Sequence, residues 1–414
     1  MKEVIRPPFY VYQIVAGIEL NKTTHLQLSI QCSSFQKMNL SKLFNEFIDS
    51  EKSGGIVLLA ATGISMAISN MQIGDSFAEF WKTDIGGHTI VHWINDGLMT
   101  IFFLLIGLEL EREIYTGELS SLRKASLPIF AAIGGMLFPA AIFMLFNHGT
   151  ETSRGVGIPM ATDIAFSIGL LSLLGSRVPP SLKIFLAALA VIDDLGAIII
   201  IAVFYSGNII VLNLAIALSI FIVLIILNRI NVTNLLPYII GGILMWYFML
   251  HSGVHSTITG VLLAFSIPFA GGGESSPSYR LQHYLHRPVA FIILPVFAIA
   301  NMAMPLEAGI FSELGGNLSN GIIAGLVGGK PAGILIFSVL AIMAGVSQMP
   351  EGIMIRHLFG AGLLAGIGFT MSIFISVLAF DSPEIVNAAK ISILIASIVA
   401  GICGLLWLRL TLKR

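Results

Sequence analysis

Apolar residues along this chain gather in long unbroken runs, not in the two-residue alternation of strands or the narrow stripes of surface helices. Runs of about 17 to 25 residues, each able to cross a hydrocarbon core of about 30 Å, occupy 54–70, 90–110, 127–146, 157–174, 182–204, 209–228, 236–251, 254–270, 288–305, 320–343, 358–380 and 388–410. The pattern predicts an all-α polytopic membrane protein with about twelve transmembrane helices. Composition agrees, because 56% hydrophobic against 11% charged residues is too apolar for one soluble core. The 42 glycines suit close helix packing in a membrane. Cys32 and Cys403 support neither a disulfide framework nor a Cys-based metal site.

Basic residues alternate between the connecting segments. With the N-terminus inside, the cytoplasmic segments hold Lys37, Lys42, Lys52, Arg112, Arg123, Lys124, Arg177, Lys183, Arg229, Arg280, Arg287, Arg356, Arg409, Lys413 and Arg414, whereas the opposite loops hold only Lys82 and Arg154, with Lys390 close to a helix end. This bias predicts cytoplasmic termini. Residues 1–37 lack the h-region pattern of a cleavable signal, and are expected to be disordered or not translated, with Met38 as a start codon. Leu40, Leu43, Phe44 and Phe47 recur at helical spacing, which predicts an interfacial amphipathic helix over 38–52. Residues 53–414 form the transmembrane domain.

A few charges break the apolar runs: Asp96, Asp163, Asp193, Asp194 and Lys330, with Glu109 at the inner end of its span. An Asp at a helix centre costs roughly 2.5–3.5 kcal/mol, so the adjacent pair costs about 5–7 kcal/mol. Asp163 and Asp193 flank the short turn 175–181, each about 18 Å from one surface, and Lys330 lies about 15 Å deep from the other. Three carboxylates and one ammonium can therefore meet near the midplane. A purely structural ion-pair cluster is a poor explanation, since three acids against one base leave charge uncompensated. Neighbouring helical residues point about 100° apart, so one of Asp193 and Asp194 can pair with Lys330 while the other faces a cavity. Carboxylate oxygens, with a hydroxyl such as that of Thr162, suit a hard cation such as Na+. The same oxygens can hold protons instead, which outlines an exchanger.

The run 157–174 carries Gly157, Pro159 and the Thr162–Asp163 pair, and 360–380 carries Gly360, Gly362, Gly366 and Gly368. Interrupted apolar segments at corresponding places in two halves point to a transporter site built from broken helices. "TDIAFSI" and "GIGFTMSI" read as weakly related cores of those halves.

The stretches "FFLLIGLELERE", "ATDIAFSIGLLSLLGSRVP", "LKIFLAALAVIDDLGAIIIIAVFY", "SGVHSTITGV", "GGKPAGI" and "GIGFTMSIFI" resemble the NhaA family of bacterial Na+/H+ antiporters, from about residue 50 to the C-terminus. The resemblance implies twelve helices in inverted-topology repeats, two broken helices that cross, and a cytoplasmic funnel. It implies a secondary active transporter in the bacterial inner membrane that extrudes cytoplasmic Na+ or Li+ for external protons. Exchange is expected to be electrogenic, with two H+ per Na+, and pH-regulated. Asp194 becomes the main Na+ ligand, with Asp193 and Thr162 as further Na+ oxygens; Asp193 pairs with Lys330, and Asp163 belongs to the broken helix. Glu109, Glu113, His255, His283 and His286 become pH-regulatory residues at the cytoplasmic face, where histidine titrates in the useful range. Gln282 stands where the family usually has an acid, which bears on the pH profile. The segment 71–89 is expected to be periplasmic and to form a homodimer. Membrane lipid, Na+ and H+ are the expected partners, with no cofactor, no nucleic acid and no enzymatic activity.

Two other classes compete. An intramembrane aspartyl protease would also place Asp residues on separate helices, but the chain lacks the expected GxGD sequence. A Na+-coupled solute symporter with broken helices is the stronger alternative, and would need a roomy polar pocket for an organic substrate.

Overall fold

The computed structural model describes residues 51–205, 207–305 and 314–412. The extension 1–37 and the interfacial helix expected over 38–52, except its last two residues, lie outside the described residues. The remainder is an all-α polytopic membrane protein with one small hairpin.

Helix α1 (Glu51–Ser69) turns by 114° into α2 (Gly74–Lys82). The strands β1 (Asp84–Ile85) and β2 (His88–Thr89) pair antiparallel, with Asp84 opposite Thr89. Gly86 and Gly87 form the two-residue turn at φ of 69° and 90°, values that favour glycine. Thr89 then caps α3 (Ile90–Tyr115) by accepting the His92 amide at 3.2 Å. Next come α4 (Leu122–Asn147), a broken helix made of a 3-10 half (Glu151–Met160) and α5 (Ile164–Ser172), and α6 (Pro180–Phe204). They are followed by α7 (Val211–Arg229), α8 (Leu236–Leu250), α9 (Ile258–Ser266), α10 (Pro277–Asn301) and α11 (Asn317–Met343). A second broken helix, α12 (Ile355–Ala365) and α13 (Phe369–Ala379), precedes α14 (Pro383–Thr411). By length and composition seven of the described helices can cross a membrane, or ten when each bent pair counts as one span.

Several boundaries differ from the sequence reading. The run 254–270 holds only the nine-residue α9, because Gly253 takes a left-handed φ of 81° and the residues after it form turns. Helix α10 starts at Pro277, not near 288. Ser276 caps it by accepting the Tyr279 amide at 3.1 Å, and Pro277 is preset for a first helical position. The polar residues 279–288 therefore lie in the helix. Lys390 lies buried within α14, not at a helix end.

Close packing follows the glycines. Helices α4 and α11 touch backbone to backbone at Gly134 and Gly333, where a Cβ on either would overlap the other's carbonyl oxygen. Pro139 of α4 also packs against Gly329, where a Cβ would come within 2.9 Å of the proline Cα. Directly before Lys330 the helix widens into a π turn, Ala324–Gly329, which re-aims the side chains that follow it. Phe103, Phe297 and Phe374 pack together from α3, α10 and α13, with Phe374 centred 5.6 Å from Phe103 and 6.3 Å from Phe297. Lys330 is thus held by a helix that has no freedom to back away from α4.

Gly333→Ala is expected to destabilise the protein by about 1–3 kcal/mol through overpacking. Gly328→Ala, whose new methyl would meet nothing within 4 Å, is expected to stay within about 0.5 kcal/mol of the parent. Unfolding of the two variants in detergent micelles checks the contrast, and equal stabilities would contradict the contact.

Candidate ion-binding site

Helix α6 carries Asp193 and Asp194 in its middle, and both are buried. The two breaks lie against them. The first helix loses its regular form at residues 161–163 and bends by 40°; the second does so at 366–368 and bends by 48°. The breaks are stitched to each other by hydrogen bonds. The Asp163 amide donates to the Ile367 carbonyl at 2.7 Å, the Ser167 hydroxyl to Leu364 at 2.8 Å, and the Ser372 hydroxyl to Ile158 at 2.7 Å.

Broken helices leave backbone groups without internal partners, and hydrocarbon offers no water to replace them. Here the carbonyl ends of the two halves receive cationic or hydroxyl donors. The Lys330 ammonium donates to the Met160 carbonyl, and the Thr162 hydroxyl lies 2.9 Å from the Ala365 carbonyl. The amide ends receive an anion. Asp163 caps α5 by accepting from the Phe166 amide at 3.0 Å, and it accepts from the Thr370 amide at 3.1 Å and from the Thr370 hydroxyl at the start of α13. A carboxylate at two helix N-termini and an ammonium at a C-terminal carbonyl both suit the helix dipole.

The two donors that serve the carbonyl ends share one acceptor. Asp193 Oδ2 lies 3.0 Å from Lys330 Nζ and 2.8 Å from Thr162 Oγ1. Thr162 has a single hydroxyl hydrogen and two acceptors in range, Asp193 and Ala365. An ionised Asp193 competes with the Ala365 carbonyl for it. A protonated Asp193 can donate to Thr162 instead, freeing that hydrogen for Ala365.

Asp194 differs from its neighbour. Both of its oxygens, and Oδ1 of Asp193, are buried without a hydrogen-bond partner among the described residues. It feels the charges of Asp193, Asp163, Lys330 and, from further off, Glu109. Buried acceptors left unmet are costly; among the described residues no group of three or more His, Cys, Asp or Glu side chains is arranged to hold a metal ion, so a visiting cation at Asp194 would draw part of its shell from hydroxyl or backbone oxygens.

The expected regulatory residues divide into two places. Glu109 lies 3.9 Å from His286, Glu113 accepts the Glu118 amide at 2.9 Å, and His283 stacks on Tyr279, whose ring also faces Arg112 at 5.2 Å. These gather where the end of α3 meets the start of α10. His255 does not join them. It faces Asp96 and His92 and meets the Tyr205 backbone, near the opposite end of α3, because α9 runs alongside α3 with Gly260 at Thr100 and Gly107 at Ala264. Asp96 itself sits in a π turn, Ile94–Leu98, and lies 3.0 Å from His92. Two residues escaped the sequence reading. Thr370 lies inside the quoted "GIGFTMSI", two residues after a glycine. Glu111 is buried against Ser278, and its offset of two residues from both Glu109 and Glu113 places it on another face of α3.

The Na+/H+ antiporter 1 family matches residues 45–408 of the chain. The chain belongs to that family. It is 61% identical over 372 residues to Na+/H+ antiporter NhaA 1 of Flavobacterium johnsoniae, covering 90% of this chain and 98% of the relative. It is 55% identical to Na+/H+ antiporter NhaA of Dechloromonas aromatica, covering 89% and 96% of the two chains. A more distant relative, Na+/H+ antiporter NhaA of Vibrio vulnificus, is 47% identical, covering 91% and 97%.

If Lys330 neutralises Asp193, Lys330→Ala leaves an uncompensated buried carboxylate and is expected to lower stability by about 3–5 kcal/mol. In an Asp193→Asn background the same change is expected to cost less than half as much. A double-mutant cycle of chemical unfolding in detergent measures this, and equal losses in both backgrounds would contradict the pairing.

Proposed function

We propose that this chain is a Na+/H+ antiporter of a bacterial inner membrane, with twelve spans in inverted repeats and both termini in the cytoplasm. It extrudes Na+ or Li+ and admits two protons per ion. The observation that carries the reading is the unequal treatment of two adjacent buried carboxylates: Asp193 is paired to Lys330, while both oxygens of Asp194 lack a partner among the described residues. The names of the relatives support the same exchange.

In this mechanism Asp194 alternates between Na+ and a proton, each displacing the other from the same oxygens. Loaded either way, it is a less unfavourable group to carry past the hydrocarbon than a bare carboxylate. The second proton resides on Asp193 or on Lys330. Asp193 adds Oδ1 to the Na+ shell, and the Thr162 hydroxyl oxygen adds another ligand. Protonation at Asp193 also redirects the Thr162 hydroxyl toward Ala365, which links the ion's departure to the contact between the two breaks. Such a link is what alternating access about a midplane site requires. Glu109, with Glu113, His283 and His286 around it, lies on the approach from one face and adjusts the response to pH there. His255 acts from the other end of α3. Residues 71–89 carry a homodimer contact.

One Na+ out for two H+ in moves one net charge inward. A potential of 100 mV, negative inside, then contributes about 2.3 kcal/mol per cycle to Na+ extrusion. In Na+-loaded proteoliposomes without a pH gradient, an imposed potential is expected to set the rate and direction of exchange. Asp194→Asn is expected to reduce exchange at least about 100-fold while leaving a folded protein, since the amide keeps the shape and loses both the proton and the charge. Exchange that ignores the potential would rule out two protons per Na+, and an active Asp194→Asn variant would rule out the site.

A further inference from the structure

The hydrogen-bond inventory of Asp163 separates it from the other two acids. An ionised carboxylate offers about four acceptor sites. Three hydrogen bonds reach Asp163, from the Phe166 amide on one oxygen and from the Thr370 amide and hydroxyl on the other. Asp194 has none among the described residues. Asp163 is therefore held by the protein on both oxygens, although its charge acts on Asp194. Two of its three donors are backbone amides that no substitution removes. The third is a side chain 207 positions away in the sequence, and it is buried at 1% exposure.

We propose that Thr370 is a positioning residue that sets ion specificity: its hydroxyl holds one oxygen of Asp163 and keeps that carboxylate out of the coordination of the transported cation. The inference rests on the Na+/H+ antiport reading and deepens it. The site then offers the ion Asp194, Asp193 Oδ1 and neutral oxygens, but not a third carboxylate. Ligand number and charge are the levers that separate cations of different size. Without the hydroxyl, one acceptor site of Asp163 loses its donor, and a cation is the ligand in this transporter best suited to take it. Hydrogen bonds to charged groups are worth about 1.5–3 kcal/mol, which corresponds to a factor on the order of tenfold or more in affinity.

The test compares the full-length parent with Thr370→Val and Thr370→Ser in proteoliposomes, measuring KM and kcat for Na+ and for Li+ at one alkaline pH, with melting temperatures alongside. Thr370→Val is expected to lower the KM for Na+ by on the order of tenfold and to lower kcat, because a third carboxylate slows release. The larger ion takes more ligands, so the KM for Li+ is expected to change less and the Li+ to Na+ preference to shift. Thr370→Ser restores the donor and is expected to keep the parent preference. A merely structural role moves the melting temperature and leaves the preference unchanged, which would overturn the inference. A Thr370→Ser preference shifted as far as that of the valine variant would overturn it too. If the valine variant fails to insert, Thr370→Ala also lacks the donor and is read by the same criteria. A parent that exchanges no Na+ removes this inference together with the antiport reading. An active parent whose preference ignores the loss of the hydroxyl removes this inference alone.

Discussion

A peptide group in the hydrocarbon core has no water to bond, so a helix broken in mid-membrane must find a partner for every loose end. Two such breaks meet here, and their demands organise the residues around them. The amide ends converge on Asp163, and the carbonyl ends draw Lys330 and Thr162. Lys330 and Thr162 in turn converge on one oxygen of Asp193. The charge that binds Lys330 is thus also the charge that orders the helix ends. Packing serves the same constraint, since the contact between Gly134 and Gly333 leaves the helix bearing Lys330 nowhere else to lie.

Function emerges from an inequality among three buried acids. Asp163 is met by donors on both oxygens, Asp193 is shared between an ammonium and a hydroxyl, and Asp194 is unmet on both oxygens among the described residues. Stability alone would favour meeting all of them or replacing them with apolar residues. A carboxylate kept unmet beside two helix breaks is instead suited to a ligand that comes and goes.

Much of this was legible in the sequence because intramembrane charge is expensive and therefore conspicuous. Asp193, Asp194 and Lys330 stood out against apolar runs, and helical arithmetic placed them at similar depths. Glycines near Thr162 and Gly368 marked where the helices break. What hydropathy does not encode is which faces meet. The bond between Asp163 and Thr370 joins residues 207 apart, and Thr370 has no charge to advertise it. His255, in the turn before α9, lies apart from His283 and His286, because the turn at Gly253 and the direction of α9 are tertiary facts. The polar first half of α10 lies outside any apolar run, so only Ser276 and Pro277, which together form a helix start, mark it in the sequence.

In the proposed exchange Na+ and protons compete for the oxygens of Asp194, and this competition can be measured without transport. Isothermal titration of the purified protein with Na+, in buffers of different ionisation enthalpy, counts the protons released for each ion bound. Between one and two protons per Na+ are expected near neutral pH, with apparent affinity rising as pH rises, and with both signals lost in Asp194→Asn. Na+ binding that releases no protons, or that persists unchanged in Asp194→Asn, would contradict the account.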